Sequence, residues 1–178
     1  MEGVSMAHIP EQAPACLKVS NFQRLMNCIQ EGWVKELVLF AVPTGMRKGE
    51  ILNLKWSDVD LGRRILDIET SLLFKTKFGK RRTIPLNESA LLVLKGRITR
   101  SASEYVFTLS DKALNSGCVT HMFKRNVRSS GLTAQRLQFH SPRHTFASWL
   151  VQGGASLYEV QGLLGHSSAK VTEIYNHL

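Results

Sequence analysis

The sequence predicts an α+β domain, mostly helical, with one small antiparallel sheet. Three observations carry that class. Apolar residues recur at helical spacing in most blocks of the chain, Phe22, Leu25, Met26 and Ile29 forming the first set. The period changes once, between residues 65 and 85, where short extended runs are broken by Phe78-Gly79. Strands and helices do not alternate along the chain, which excludes a doubly wound parallel sheet.

Residues 1–19 show no periodicity and read as a flexible arm or an expression leftover, leaving one domain over residues 20–178. Ser20-x-x-Gln23 reads as a capping box, opening a helix that Gly32 closes. Residues 34–44 form a second, mostly buried helix, ended by Pro43 and Gly45, and residues 47–54 a short third one. Residues 65–69, 72–77 and 81–85 read as three strands, with Phe78-Gly79 the tight turn between the last two. Asn87 can cap a helix to Lys95, with Gly96 at its end. Tyr105-Val106-Phe107 is a short extended piece. Val119, Met122, Phe123 and Val127 stripe another helix, which stops at Gly131. Residues 142–152 are helical before Gly153-Gly154. Ser156-x-x-Glu159 is a second capping box, for a helix ending at Leu164-Gly165, and a last helix starts near Ala169. Trp56, Phe146 and Trp149 are expected in the core.

At 178 residues the chain can bury a core without staples. Its longest apolar run, residues 37–42, is six residues, too short to span a bilayer. Residues 1–20 hold no apolar stretch of signal-peptide type. Cys16, Cys28 and Cys118 are odd in number and far apart, which fits neither a disulfide framework nor a CxxC metal site. A reducing cytoplasm is the expected compartment.

Charge is the first functional clue. Twenty-three Lys and Arg against 14 Asp and Glu give a net charge of +9. Residues 112–158 contain no Asp or Glu, yet hold Lys112, Lys124, Arg125, Arg128, Arg136, Arg143 and three histidines. Lys75, Lys77, Lys80, Arg81 and Arg82 form a second cluster. Such clustering is the footprint of a polyanion. A membrane surface suits it less, because neither cluster carries a broad apolar face.

Several chemistries drop out. Gly79-Lys80 lacks the upstream glycine of a Walker loop, and His140 and His144 have no glutamate between them, as a zincin needs. Acidic residues do not gather in the sets that hold Mg²⁺, which argues against a two-metal nuclease. Arginines near helix starts, histidines, a hairpin lysine and a late tyrosine remain, a set suited to phosphate without metal.

Thr44-Gly45-Met46-Arg47-Lys48-Gly49-Glu50-Ile51-Leu52-Asn53-Leu54-Lys55-Trp56-Ser57-Asp58-Val59-Asp60 resembles the first box of the tyrosine recombinases, the phage-integrase family. His140-Ser141-Pro142-Arg143-His144-Thr145-Phe146-Ala147 resembles their second box, H-x-x-R-H, and Leu164-Gly165-His166 their L-G-H motif. Tyr175 follows His166 by nine residues, as the family's nucleophile does. Four motifs in this order and spacing form a specific match. The second box departs at one point: its common form is H-D-L-R-H, and Ser141 replaces the carboxylate. Pro142 still suits the first turn of a helix.

The resemblance implies the tyrosine-recombinase catalytic-domain fold and a reaction through a covalent 3′-phosphotyrosine, with no metal, cofactor or ATP. Tyr175 would be the nucleophile. A phenol ionises near pH ~10, so on the order of one in a thousand is ionised at neutral pH, and local help is needed. The match makes His140 the general base. It sets Arg47 and Arg143 on the non-bridging phosphate oxygens, where guanidinium forks bind bidentately. His166 would add a hydrogen bond to the phosphate. Lys77 would protonate the 5′-oxygen leaving group, with Lys75 and Lys80 as alternatives. Glu50 would orient an arginine, and His144 would cap or pack beside the site. Lys75, Lys80, Arg81, Arg82, Lys124, Arg125 and Arg128 are the candidates for contacts to DNA. Tyr158 is the competing nucleophile.

Double-stranded DNA is the implied partner, with a homotetramer expected for full-length relatives, a monomeric state allowed for the chain alone, and no membrane. Relatives carry a core-binding domain ahead of the catalytic one, which this chain is expected to lack. A bacterial or phage protein at the nucleoid is the implied setting. A catalytically idle DNA-binding module and a type IB topoisomerase are the rival readings.

Overall fold

The computed structural model describes residues 14–68, 81–100, 102–166, 168 and 170–175. The chain enters through α1 (Val19–Cys28), the central α2 (Gly32–Thr44) and the one-turn α3 (Lys48–Leu52). A small sheet follows, of β1 (Val59–Asp60), β2 (Ile65–Ile68) and β3 (Arg82–Pro85), and then α4 (Glu88–Ile98). A ribbon of β4 (Thr108–Leu109) and β5 (Lys112–Ala113) leads into α5 (Ser116–Ser129), α6 (Ser141–Gln152), α7 (Leu157–Leu164) and α8 (Lys170–Glu173). This is the α+β, mostly helical architecture read from the sequence.

α2 is apolar around most of its circumference, and helices of that kind are buried. It packs against both α4 and α6. Phe40 on α2 meets Phe107 with ring centroids 4.9 Å apart. The main core gathers residues of α1 to α5 and the sheet. A smaller second cluster holds Phe146 and Ala147 of α6, Val160 and Leu164 of α7, and Tyr175.

The sheet is antiparallel in the order β1-β2-β3, with Leu66 opposite both Val59 and Ile84. β2 and β3 match the first and last expected strands. The expected strand over residues 72–77, with its turn, lies outside the described residues. The third strand of the observed sheet is instead Val59–Asp60, too short to show an alternating pattern.

Three boundaries differ from expectation. α1 starts at Val19, so Ser20 lies inside it and no side chain caps the start. Gly32 opens α2 rather than closing α1, because Ile29 turns extended and buries its side chain. α4 runs past Gly96 to Ile98, its last turn held in by Arg97, which is buried 3.1 Å from Glu36 and 4.8 Å from the Phe107 ring.

The arm expectation fails over residues 14–18. Leu17 is 1% exposed. Its N–H donates to Thr145 Oγ1 at 2.9 Å, and its carbonyl accepts from Trp149 Nε1 at 2.9 Å. Apolar burial and two satisfied backbone groups strap this segment to α6.

Other signals act as read. Asn87 Oδ1 accepts from Ala90 N–H at 3.0 Å, and Ser156 and Glu159 bond each other's backbone N–H at the start of α7. Among the described residues no helix is long and apolar enough to cross a membrane.

Candidate active site

The site begins where α2 ends. Gly45 takes the left-handed conformation, φ +60°, and any Cβ there would strike the Phe146 ring. The turn delivers Arg47 to the N-terminus of α3. Glu50, one turn later, has a carboxylate that is almost wholly buried. Its Oε2 accepts from Arg47 N–H at 2.7 Å and Arg82 Nη2 at 2.7 Å. Its Oε1 accepts from Arg47 Nη1 and Arg82 Nη1, each at 3.0 Å. Burial opposes the charge of this carboxylate. Arg82 and Arg47 outweigh burial and hold the carboxyl below its ordinary range.

Arg82 is thus not one of the surface bases, as the sequence analysis expected. It is buried, and its Nε donates to Leu163 O at 3.1 Å. The reason is strand alternation: Arg82 shares the inward face of β3 with Ile84.

Arg143, on the first turn of α6, is buried as well. It donates from Nη1 to Gly45 O at 2.7 Å and from Nη2 to Leu164 O at 2.6 Å. Two of its five donors are committed to these carbonyls, which fix the plane of the guanidinium. Leu163 O and Leu164 O belong to the last turn of α7, the negative end of its dipole. One helix end therefore anchors two arginines. Burial, then the charge of Arg47, pushes Arg143 down to about 9, so it stays charged at neutral pH.

Three histidines line the same region. His140 precedes α6, and burial, then Arg143 and Arg47, push it below its ordinary value. Ser141, at the place of the usual carboxylate, accepts from Gln138 N–H at 3.0 Å. His166 follows Gly165, the left-handed residue that ends α7. Its Nδ1 lies 2.9 Å from Thr172 Oγ1. Burial, then Arg143 and Arg47, bring it down to about 4. His144 also sits at about 4, through burial, His140 and Arg143. The His140 and His144 rings meet edge-on at 4.7 Å.

Tyr175 is 1% exposed, inside the second apolar cluster. Its hydroxyl lies 2.6 Å from His144 Nδ1. Burial pushes the phenol up to about 12, with Arg143 opposing the rise. Phenol and imidazole are both neutral at pH 7. Tyr175 therefore donates, His144 Nδ1 accepts, and the imidazole proton sits on Nε2.

The structure brings Arg47, Glu50, His140, Arg143, His144, His166 and Tyr175 together, and adds Arg82. Nothing in the sequence marked the His144–Tyr175 bond; alternation along β3 could have marked the burial of Arg82. Lys75, Lys77 and Lys80 lie outside the described residues. Arg81 is exposed, 3.6 Å from Asp67. Lys124, Arg125 and Arg128 are exposed on α5, with Arg125 paired to Glu31. Lys48 Nζ donates to Thr120 Oγ1 at 2.8 Å, joining α5 to the Arg47 turn. Lys124 continues the Thr120 face one turn on. Tyr158 is 84% exposed on the first turn of α7, the opposite end from the carbonyls that hold the arginines.

The chain resembles known proteins over most of its length. The model of the phage integrase family matches residues 16–178. The integrase of Salmonella phage P22 is 31% identical over 166 residues, which cover 88% of this chain and 42% of that protein. Tyrosine recombinase XerA of Pyrococcus furiosus is 29% identical over 178 residues, covering 96% and 59%. This chain therefore spans about half the length of these curated relatives. The crystal structure of XerA recombinase superimposes with a TM-score of 0.77 at 26% identity, covering 95% of this chain and 62% of that one. XerH recombinase, captured after cleavage on a palindromic difH substrate, gives 0.74 at 25% identity, covering 93% and 50%. On a match that runs from the strap at residue 16 through Tyr175, the chain belongs to the phage integrase family.

Proposed function

We propose that this chain is the strand-cleaving and rejoining part of a site-specific DNA recombinase or integrase. One observation carries the reading. Arg47 and Arg82 both bond one carboxylate, Glu50, while Arg143 is held nearby by two backbone carbonyls, beside His140, His166 and Tyr175. The site holds a surplus of fixed positive charge, which a phosphodiester neutralises.

Tyr175 Oη attacks the scissile phosphorus, and the P–O5′ bond breaks. The 3′-phosphate stays on the tyrosine, and the 5′-oxygen leaves as a hydroxyl. Arg47 and Arg143 bind the non-bridging oxygens as charge builds in the pentavalent transition state. His166 donates a further hydrogen bond. His140 takes the phenolic proton, and Lys77 supplies one to the leaving oxygen. Attack by a 5′-hydroxyl of a second strand reverses every step, so the bond energy is kept and the balance needs neither ATP nor a metal. Lys124 and Arg128, on the α5 face that leads from the Arg47 turn, follow the DNA backbone. Duplex DNA is the partner, and assembly of the complete protein on two duplexes gives the tetramer. The capture of XerH on DNA supports the choice of partner.

The test is incubation with supercoiled plasmid in EDTA at low salt, beside Tyr175→Phe. Relaxation and SDS-resistant protein–DNA adducts are expected for the wild type and absent from the variant. Adducts that persist in Tyr175→Phe reject Tyr175 as nucleophile. DNA binding without adducts in either protein favours an idle binding module.

A further inference from the structure

Tyr175 presents a paradox that its surroundings resolve. A nucleophile must reach a phosphate, yet this ring is enclosed by Phe146, Ala147, Val160 and Leu164. Apolar walls suit the ring but not its hydroxyl. A buried hydroxyl without a partner is costly, so one acceptor decides whether the ring is stable inside. That acceptor is His144 Nδ1, at 2.6 Å. The His144 ring is itself fixed, edge-on against His140 at 4.7 Å and one residue from the anchored Arg143.

We propose that His144 is the positioning residue of the nucleophile: its Nδ1 holds the Tyr175 hydroxyl, dry and uncharged, in a store between α6 and α7 while DNA is absent. The bond holds the proton rather than taking it. Burial raises the phenol and lowers the imidazole, so both groups stay neutral and the proton remains on the tyrosine oxygen. His144 therefore differs in role from the base assigned to His140. The functional meaning rests on Tyr175 being the nucleophile; the store itself does not.

The store is read in the full chain without DNA. N-acetylimidazole labels accessible phenols, and peptide mass spectrometry compares Tyr175 with exposed Tyr158 in the same molecule. Wild-type Tyr175 is expected to react at least about tenfold more slowly than Tyr158. His144→Leu removes the acceptor and is expected to raise Tyr175 labelling at least about fivefold. His144→Asn offers an amide oxygen near the former Nδ1 and is expected to keep the protection. If circular dichroism shows His144→Leu unfolded, His144→Ala is read in its place. Equal protection in all variants would mean that packing alone buries the ring, and overturns the proposal. Exposure in His144→Asn as complete as in His144→Leu overturns it too. No DNA enters this experiment, so failure of the recombinase reading would appear separately, as missing adducts.

Discussion

Arg82 meets Glu50 fork to fork: Nη1 reaches Oε1 at 3.0 Å and Nη2 reaches Oε2 at 2.7 Å, with both side chains buried. Through this pair the sheet, the Arg47 turn and the end of α7 are joined by direct bonds. Arg82 holds Glu50, Glu50 holds Arg47, and Arg82 also bonds the carbonyl next to the one that holds Arg143.

Arg82→Met is expected to cost about 3–5 kcal/mol, because it leaves a buried carboxylate short of two charged hydrogen bonds. Arg81→Met, one residue away and exposed, is expected to cost less than about 1 kcal/mol. Urea denaturation of the two variants decides. Similar midpoints would mean that the buried pair does not hold the site together.

Two left-handed glycines should respond differently to alanine. Gly154, φ +91°, has open space where a Cβ would go, so Gly154→Ala carries only the backbone cost of about 1–2 kcal/mol. Gly45→Ala must also displace the Phe146 ring, adding about 1–3 kcal/mol. Thermal unfolding of both ranks them, and the reverse order would contradict the close approach of α6 to the Arg47 turn.

Acid should weaken the fold before its carboxylates titrate. His144 and His166 sit at about 4 when folded, against about 6.5 in an unfolded chain. Between those values the unfolded chain binds more protons, so stability falls as pH drops from about 6.5 toward 4. The contribution is complete above about 6.5. Denaturation midpoints at pH 7 and pH 5 should differ in this direction, and a double His144→Gln, His166→Gln variant should show a shallower slope. An unchanged slope would mean that neither ring is held neutral.

Arg143→Lys keeps the charge but loses the planar fork that bonds Gly45 O and Leu164 O together. The rate of adduct formation is expected to fall about 100-fold or more, with plasmid binding nearly retained. The check is a quench time course on SDS gels alongside a gel-shift titration. Wild-type rates in Arg143→Lys would remove this arginine from the transition state.

How far the sequence could be read depended on the range of each signal. Asn87, Ser156 and Gly165 act as read because their partners lie within one turn, whereas Ser20, Gly32 and Gly96 do not open or end the helices expected of them. Motif spacing located Arg47, His140, Arg143, His166 and Tyr175, since each box lies within one helix start or turn. Partners across the fold were not legible. Arg82 lies 32 residues from Glu50 and His144 lies 31 from Tyr175. Leu17 looked like part of an arm because its partners, Thr145 and Trp149, are far along the chain. β1 is two residues long, and no periodicity fits in that length.

The most direct test of the central claim is the identity of the residue that carries DNA. Adducts formed in EDTA would be trimmed with nuclease, digested with trypsin and sequenced by mass spectrometry. The account predicts a nucleotide 3′-phosphate on Tyr175 and on no other residue. A nucleotide on Tyr158, or adducts attached elsewhere, would contradict it.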